Sequence, residues 1–389
     1  MAGGAMNGQT MNGQTTTGQG GMANASAGAS GMDTTMTDPT LSMGGNANAG
    51  GSNGAAGGLV DMGGADNSGT AGATQMGGDD LPANPSGLPE PGAGAMARPQ
   101  GSPGDLNVLP WAGFSGAISY TFDDSNSTQI NNEDQLMGLG VPFTWYLWTG
   151  KTESGNAFYQ RALDTGHELA NHTDRHGSGD STDDVNQAQQ YLMNQYGVTA
   201  YTMAAPNGST NDYTTIAQQL FIIDRGVADS LIGPDDNVNL MNLPSYIPPP
   251  GAGTSQMNPK VDAAESQGKW QTVCIHGFQG GNDGAYQPID LDGFVQHVEY
   301  AKTKDIWIGT MLEVGAYFIG RKAVAGATMQ MQGEDRVWEW SLPATFPPDR
   351  YVRVTVDGGT LSQDGTPLPW NEHGFYEVAL DVGSVTLSP

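Results

Sequence analysis

The sequence predicts an α/β protein in three parts: a disordered low-complexity tether over residues 1–110, an irregular (β/α)7-type barrel over 111–321, and a small antiparallel all-β domain over 322–389. Three observations predict it. Residues 1–110 contain no Phe, Tyr or Trp; from Ala117 short apolar runs alternate with helical stretches; and after Arg321 the apolar residues fall at every second position.

Before Pro110 the chain is dominated by Gly, Ala, Asn, Thr, Ser and Met, Arg98 is its one basic residue, and residues 6–10 are repeated at once as 11–15. Such a stretch cannot bury enough apolar surface to offset a backbone ordering cost of ~1–2 kcal/mol per residue. Pro82, Pro85, Pro89, Pro91, Pro99 and Pro103 stiffen its last part, and aromatic residues begin at Trp111.

In the middle region strands are expected over 117–122, 142–147, 168–171, 201–204, 222–224, 270–275 and 306–309, with helices over 132–138, 157–165 and 184–196. Seven βα-like units in about 200 residues point to a parallel barrel with fewer than the usual eight repeats, whose functional residues belong at the carboxyl ends of the strands. Residues 336–340 and 351–356 alternate strictly, and Asp357-Gly358-Gly359 and Asp364-Gly365 mark turns. Alternation puts Trp338 and Trp340 on one face, the core face of a small sandwich.

A formal charge of −27 excludes phosphate-backbone recognition, so no nucleic-acid partner is expected. Cys274 is the single cysteine and leaves no intrachain disulfide. No run approaches the roughly 18 apolar residues of a membrane span, and the first residues lack a basic segment followed by an apolar core. A Gly/Asn/Thr/Ser tether ahead of a globular unit is the composition of a secreted or cell-surface protein, expected here as a monomer.

Asp123 and Asp124 follow the first strand, where adjacent carboxylates repel unless a cation or donor relieves them. Alone they read as a solvated loop. Three of the six histidines fall within residues 166–176. On one helical turn, His172 and His176 would share a face and a metal ion, with Zn the usual choice; a polar loop is the plainer reading.

Taken together, Thr121-Phe122-Asp123-Asp124 and His172-Thr173-Asp174-Arg175-His176 resemble the polysaccharide deacetylase family, the NodB-homology or carbohydrate esterase family 4 proteins, over about residues 117–320. The resemblance implies a barrel of the deacetylase kind. It implies Asp123 as catalytic base and Asp124, His172 and His176 as ligands of one divalent metal ion, Zn first and Co or Ni as alternatives. Thr272-Val273-Cys274-Ile275-His276 looks like the family's late motif, with His276 as catalytic acid and Ile275 lining the pocket for the acetyl methyl group. Asp224 stands as the carboxylate that raises the basicity of His276.

Pro206, Asn207 and Gly208 match the substrate-binding third motif, whose backbone N–H is available to the oxyanion. That motif usually reads R-x-P-x-G, and here Ala204 replaces the Arg that orients the base. Either Arg175 or Arg225 is available as a substitute. Ser125 stands where Gly is common. Trp145 and Tyr246 are candidate sugar platforms, since sugar C–H faces stack on aromatic rings.

The implied reaction on an acetylated glycan is N-deacetylation of an N-acetylglucosamine polymer of the chitin or peptidoglycan type, by metal-activated water with Asp123 as base and His276 as acid. Two alternatives stand beside it: an O-acetyl esterase on acetylated hemicellulose such as xylan, and a non-catalytic glycan-binding surface protein, motivated by Ala204.

Overall fold

Alternation along seven short strands decides which side chains face the barrel interior and which face its helices. The computed structural model describes residues 84–177 and 179–389, so the first 83 residues of the expected tether lie outside the described residues. After a leading strand β1 (Asn107–Val108) come β2 (Gly116–Phe122), β3 (Thr144–Leu147), β4 (Glu168–Asn171), β5 (Thr202–Ala204), β6 (Ile223–Arg225), β7 (Trp270–Ile275) and β8 (Ile306–Ile308). Strands β2 to β8 form one parallel sheet in the order β6-β5-β4-β3-β2-β7, with β8 also on β2. Residues 226–246 span the gap between β6 and β7. Gly226 N–H donates to the Leu243 carbonyl there, and Tyr246 exchanges backbone hydrogen bonds with Thr272 and Cys274. The result is the irregular (β/α)7 barrel that the sequence predicts.

Around it run α1 (Ser127–Asn131), α2 (Glu133–Met137), α3 (Ala157–Asp164), α4 (Ser181–Tyr196), α5 (Thr210–Leu220), α6 (Thr254–Gln267), α7 (Leu291–Ala301) and α8 (Met311–Ala325). Their starts have sequence causes: Asp180 accepts the N–H groups of Thr182 and Asp183 ahead of α4, Asp290 that of Gly293 in α7, and Thr310 and Glu313 form a capping box on α8. Ile118, Tyr120, Phe122, Trp145, Leu169 and Ile275 point outward into one apolar cluster with Phe158, Val185, Val261 and Phe294 of the helices. Ala117, Tyr146, Ala170, Ala204, Ile223 and Trp270 belong to a second cluster, with Trp111 and with Val314 and Phe318 of α8.

The remaining strands are β9 (Met329–Gln332), β10 (Asp335–Glu339), β11 (Tyr351–Thr355), β12 (Thr360–Gln363), β13 (Thr366–Pro367), β14 (Tyr376–Ala379) and β15 (Ser384–Ser388). They make two antiparallel sheets, β13-β12-β15-β10-β9 and β1-β11-β14. Trp338 is buried and Trp340 half-buried, its indole N–H on the Leu380 carbonyl at 2.9 Å. These sheets continue the barrel's packing. Helix α8 runs through the expected boundary at 321, β1, which precedes the barrel in the chain, pairs with β11, and Val352, Val354 and Leu380 share the cluster of Trp111 and Phe318.

The packed region also begins before the expected residue 111. Arg353, fully buried, donates to the carbonyls of Pro89 (2.6 Å), Ala112 (2.9 Å) and Leu88 (3.0 Å) and pairs with Glu377, which accepts from Ser86. A buried guanidinium needs an acceptor for nearly every N–H, and the Pro-rich segment supplies two of them, the carbonyls of Leu88 and Pro89. Among the described residues no helix is long and apolar enough to cross a membrane.

Candidate metal centre and active site

Along β2 the residues alternating with Ile118, Tyr120 and Phe122 are Ala117, Ser119 and Thr121, and this parity carries Asp123 to the mouth of the barrel facing inward. Its N–H is tied to the Ile275 carbonyl of β7 at 2.9 Å. Asp124 (φ 72°) and Ser125 (φ 53°) then turn through the left-handed region, at roughly 1–2 kcal/mol for each non-glycine residue. That conformation explains why glycine suits the position of Ser125.

His172 and His176 are on a loop, not on a helical turn as their spacing suggested. The chain leaves β4 with Thr173 (φ 63°) and His176 (φ 51°) left-handed. Asp184, buried at the start of α4, accepts the N–H groups of Asp174 (2.8 Å), Arg175 (2.5 Å) and Gly177 (3.3 Å) and so folds the loop back on itself. His172 Nε2 then lies 3.1 Å and His176 Nε2 3.0 Å from the same Asp124 Oδ1. Trp148 stacks on the His176 ring with centroids 4.5 Å apart.

This donor set fits a cation on a specific count. His172 Nδ1 lies 2.8 Å from the Ala204 carbonyl, which can only accept, so Nδ1 carries the proton. In the neutral ring Nε2 is then a bare lone pair aimed at a carboxylate oxygen, an arrangement that requires positive charge between them. Burial opposes a charged His172, yet Asp123 and Asp124 overcome it and raise its pKa. Burial likewise opposes ionised Asp124, and the hydrogen bonds from His172 and His176 outweigh it, holding the carboxyl far below its usual range. Two imidazoles and a carboxylate are a three-ligand set that leaves coordination positions for water and substrate.

Beside this cluster, Arg225 Nη2 hydrogen-bonds and ion-pairs with Asp123 Oδ2, and both side chains are buried. Arg225 ends β6 directly opposite Ala204 in the ladder. Of the two arginines available to replace the missing motif arginine, Arg225 therefore touches Asp123, whereas Arg175 turns to Asp184 and the Asp180 carbonyl. Burial alone would raise the Asp123 pKa; Arg225, His172 and His276 reverse that and lower it. Asp123 Oδ1 is buried and has no hydrogen-bond partner among the described residues. His276 Nε2 is 3.9 Å from Oδ2, and burial lowers the imidazole's pKa. Asp123, Asp124, His172, His176, Arg225 and His276 all border one cavity of 380 Å3 at the carboxyl ends of the strands.

The polysaccharide deacetylase family model matches residues 115–222, which include both the Asp123-Asp124 pair and the histidine loop. Residues 115–222 belong to a polysaccharide deacetylase domain. Similar solved structures include a family 4 carbohydrate esterase from Streptomyces lividans in complex with acetate, at 19% identity over 51% of this chain and 94% of that one, TM-score 0.37. Peptidoglycan deacetylase from Bacillus subtilis is similar at 18% identity over 51% and 89% of the two chains, TM-score 0.34. A family 4 acetyl xylan esterase from Clostridium thermocellum with cobalt is similar at 16% identity over 51% and 89%, TM-score 0.36. No curated protein sequence matches the chain.

Strand parity sorts the remaining expected residues of the deacetylase domain. Ile275 and Trp145 point outward: both are buried in the helix-side core, and Trp145 stacks on Phe122 at 4.4 Å, so neither reaches the cavity. Asp224, between inward Ile223 and Arg225, is turned away from His276. It is fully buried, neither oxygen makes a hydrogen bond of ordinary geometry, and burial pushes its pKa up to about 8, against Arg225, the Ala205 N–H and His172. Asn207 and Gly208 border the cavity while Pro206 packs beneath it. The Tyr246 ring lies under Lys260 Nζ at 4.1 Å, and it is its neighbour Ile247 that borders the cavity. Val227 and Tyr286 complete the rim; Tyr286 is 56% exposed and meets the His276 ring edge-on at 5.4 Å. Both sit in irregular loops, where no periodicity marks a residue as facing the site.

Proposed function

We propose that this deacetylase domain removes the acetyl group from an N-acetylglucosamine-containing glycan of the chitin or peptidoglycan type, with Asp124, His172 and His176 holding one divalent ion, Zn in first place. The observation that carries this reading is that Asp123 and His276 stand 3.9 Å apart beside the Asp124, His172 and His176 cluster, in one cavity. An ion held there supplies an acidified water and polarises the acetyl carbonyl.

The chain's own residues supply the rest. Arg225 keeps Asp123 ionised and fixes Oδ2, which leaves Oδ1 to take the water's proton as the oxygen attacks the carbonyl carbon. The proton then passes through water in the cavity to His276, whose Nε2 is 3.9 Å from Asp123 Oδ2 and whose lowered pKa makes the ring neutral at rest and ready to receive it. His276 then delivers it to the departing nitrogen, and acetate and a free amino sugar result. A proton-delivery pair supports amide over ester cleavage, because an amine departs only after protonation. Val227 and Ile247 offer the apolar wall for the acetyl methyl, the part expected of Ile275. Asn207 borders the same cavity, and its backbone N–H is the candidate oxyanion donor.

The test is acetate release by protein loaded with one equivalent of Zn or Co, measured on chitin oligomers and on acetylated xylan. Release from chitin oligomers that disappears on chelation is the expected result. Release from xylan alone overturns the amide assignment in favour of the esterase, and no release from any acetylated glycan by metal-loaded protein leaves the glycan-binding surface protein.

A further inference from the structure

A second convergence of ligand atoms adjoins the first. Cys274, the single cysteine of the chain, precedes His276 by two residues, so the alternation of β7 turns both toward Asp123. Cys274 Sγ lies 3.5 Å from Asp123 Oδ2 and 4.0 Å from His276 Nε2, and that nitrogen is 3.9 Å from the same oxygen. The three atoms form a nearly equilateral triangle. An ion at its centre would stand ~2.2 Å from each corner, which falls among the Zn–S, Zn–N and Zn–O bond lengths.

The surroundings select the kind of ion. Asp123 is 2% exposed; Oδ2, the corner of the triangle, also takes the bond from Arg225, while Oδ1 has no hydrogen-bond partner among the described residues, so the carboxylate retains acceptor capacity. The Arg225 guanidinium repels a second cation, and a hard ion gains nothing from a thiol to offset that repulsion. A thiophilic ion does gain, through a sulfur bond that forms as the Cys274 proton leaves to solvent. His276 and Asp123 border the cavity, with fully buried Cys274 behind them.

We propose that Asp123, Cys274 and His276 form a second metal site, for a thiophilic divalent cation such as Zn or Cd, filled after the Asp124, His172 and His176 site. Its occupancy blocks turnover by engaging both Asp123 and His276; that consequence rests on their roles as base and acid, whereas the binding itself does not.

Cobalt titration of metal-free protein tests the site, because thiolate-to-cobalt charge transfer gives a near-ultraviolet band that His and carboxylate ligands do not. In the wild type the band is expected on addition of the second equivalent. It is expected to vanish in Cys274→Ala and Cys274→Ser, which keep the first equivalent, and to persist in His176→Ala, which weakens the first site. No band in the wild type at saturating cobalt overturns the proposal, as does a band that disappears in His176→Ala, since the thiolate would then belong to the first ion. Acetate release with one equivalent is read separately, so absence of the band in an active protein refutes the second site alone.

Discussion

Arg225 of β6 faces Ala204 across the β5–β6 ladder and bonds to Asp123, so the guanidinium reaches the carboxylate from one strand further along the sheet than the family motif places it. Breaking a buried ion pair from one side costs ~3–5 kcal/mol, so Arg225→Ala is expected to lose stability on that scale and to lower kcat/KM. Arg225 lowers the Asp123 pKa. Without it Asp123 protonates at higher pH, and the acidic limb of the kcat/KM profile moves upward. The double variant Arg225→Ala with Ala204→Arg, which returns the charge to the register partner, is expected to move that limb back. A limb that stays in place in Arg225→Ala contradicts the pairing's role.

Asp123→Asn separates the two adjacent carboxylates. Turnover is expected to fall ~10²–10⁴-fold, the usual weight of a general base, while metal content measured by elemental analysis stays at one equivalent. Loss of metal would mean that Asp123, and not only Asp124, holds the ion.

Asp184 does not border the cavity, yet it shapes the loop that brings His176 to Asp124. Asp184→Ala is expected to weaken metal affinity ~10–100-fold, as removal of a ligand's supporting hydrogen bonds usually does. Competition with a chromogenic chelator measures the affinity, and excess metal is expected to restore much of the activity.

Asp224 makes stability depend on pH with an unusual sign for a carboxyl group. Its pKa rises from the ordinary 3.8 to about 8 on folding, so between those values the folded protein binds more protons than the unfolded chain. Stability from this group is therefore complete below about pH 4 and is lost as pH rises toward 8, at up to ~1.4 kcal/mol per pH unit. In Asp224→Asn, urea midpoints are expected to lack this decline. An identical decline in both proteins would assign it to other groups.

Arg353 holds residues 86–91 against β11 and β14 through carbonyls and Glu377. Arg353→Ala is expected to destabilise the protein by ~3–5 kcal/mol, because it leaves Glu377 buried and unpaired. Limited proteolysis is expected to cut near residue 90 in this variant and to spare that stretch in the wild type.

The sequence by itself determined the barrel and the three side chains that converge as a candidate metal site. Strands β4 and β7 have the expected bounds to the residue, since their apolar runs are confined by polar or glycine neighbours, and Asp124, His172 and His176 are brought together as their motifs imply. Tertiary structure alone decided the setting of Asp123. Arg225 and Arg175 have the same chemistry in a sequence, and only the β5–β6 register and the inward parity of Arg225 put one guanidinium on the carboxylate. The same parity sends Trp145, Ile275 and Asp224 to the opposite face of the sheet, a difference of one residue that composition and motif spacing leave undecided until strand edges are known. Packing also carried the folded region back past Trp111 to Leu88 and Pro89, because the acceptors that Arg353 requires are backbone carbonyls, and these have no sequence signature.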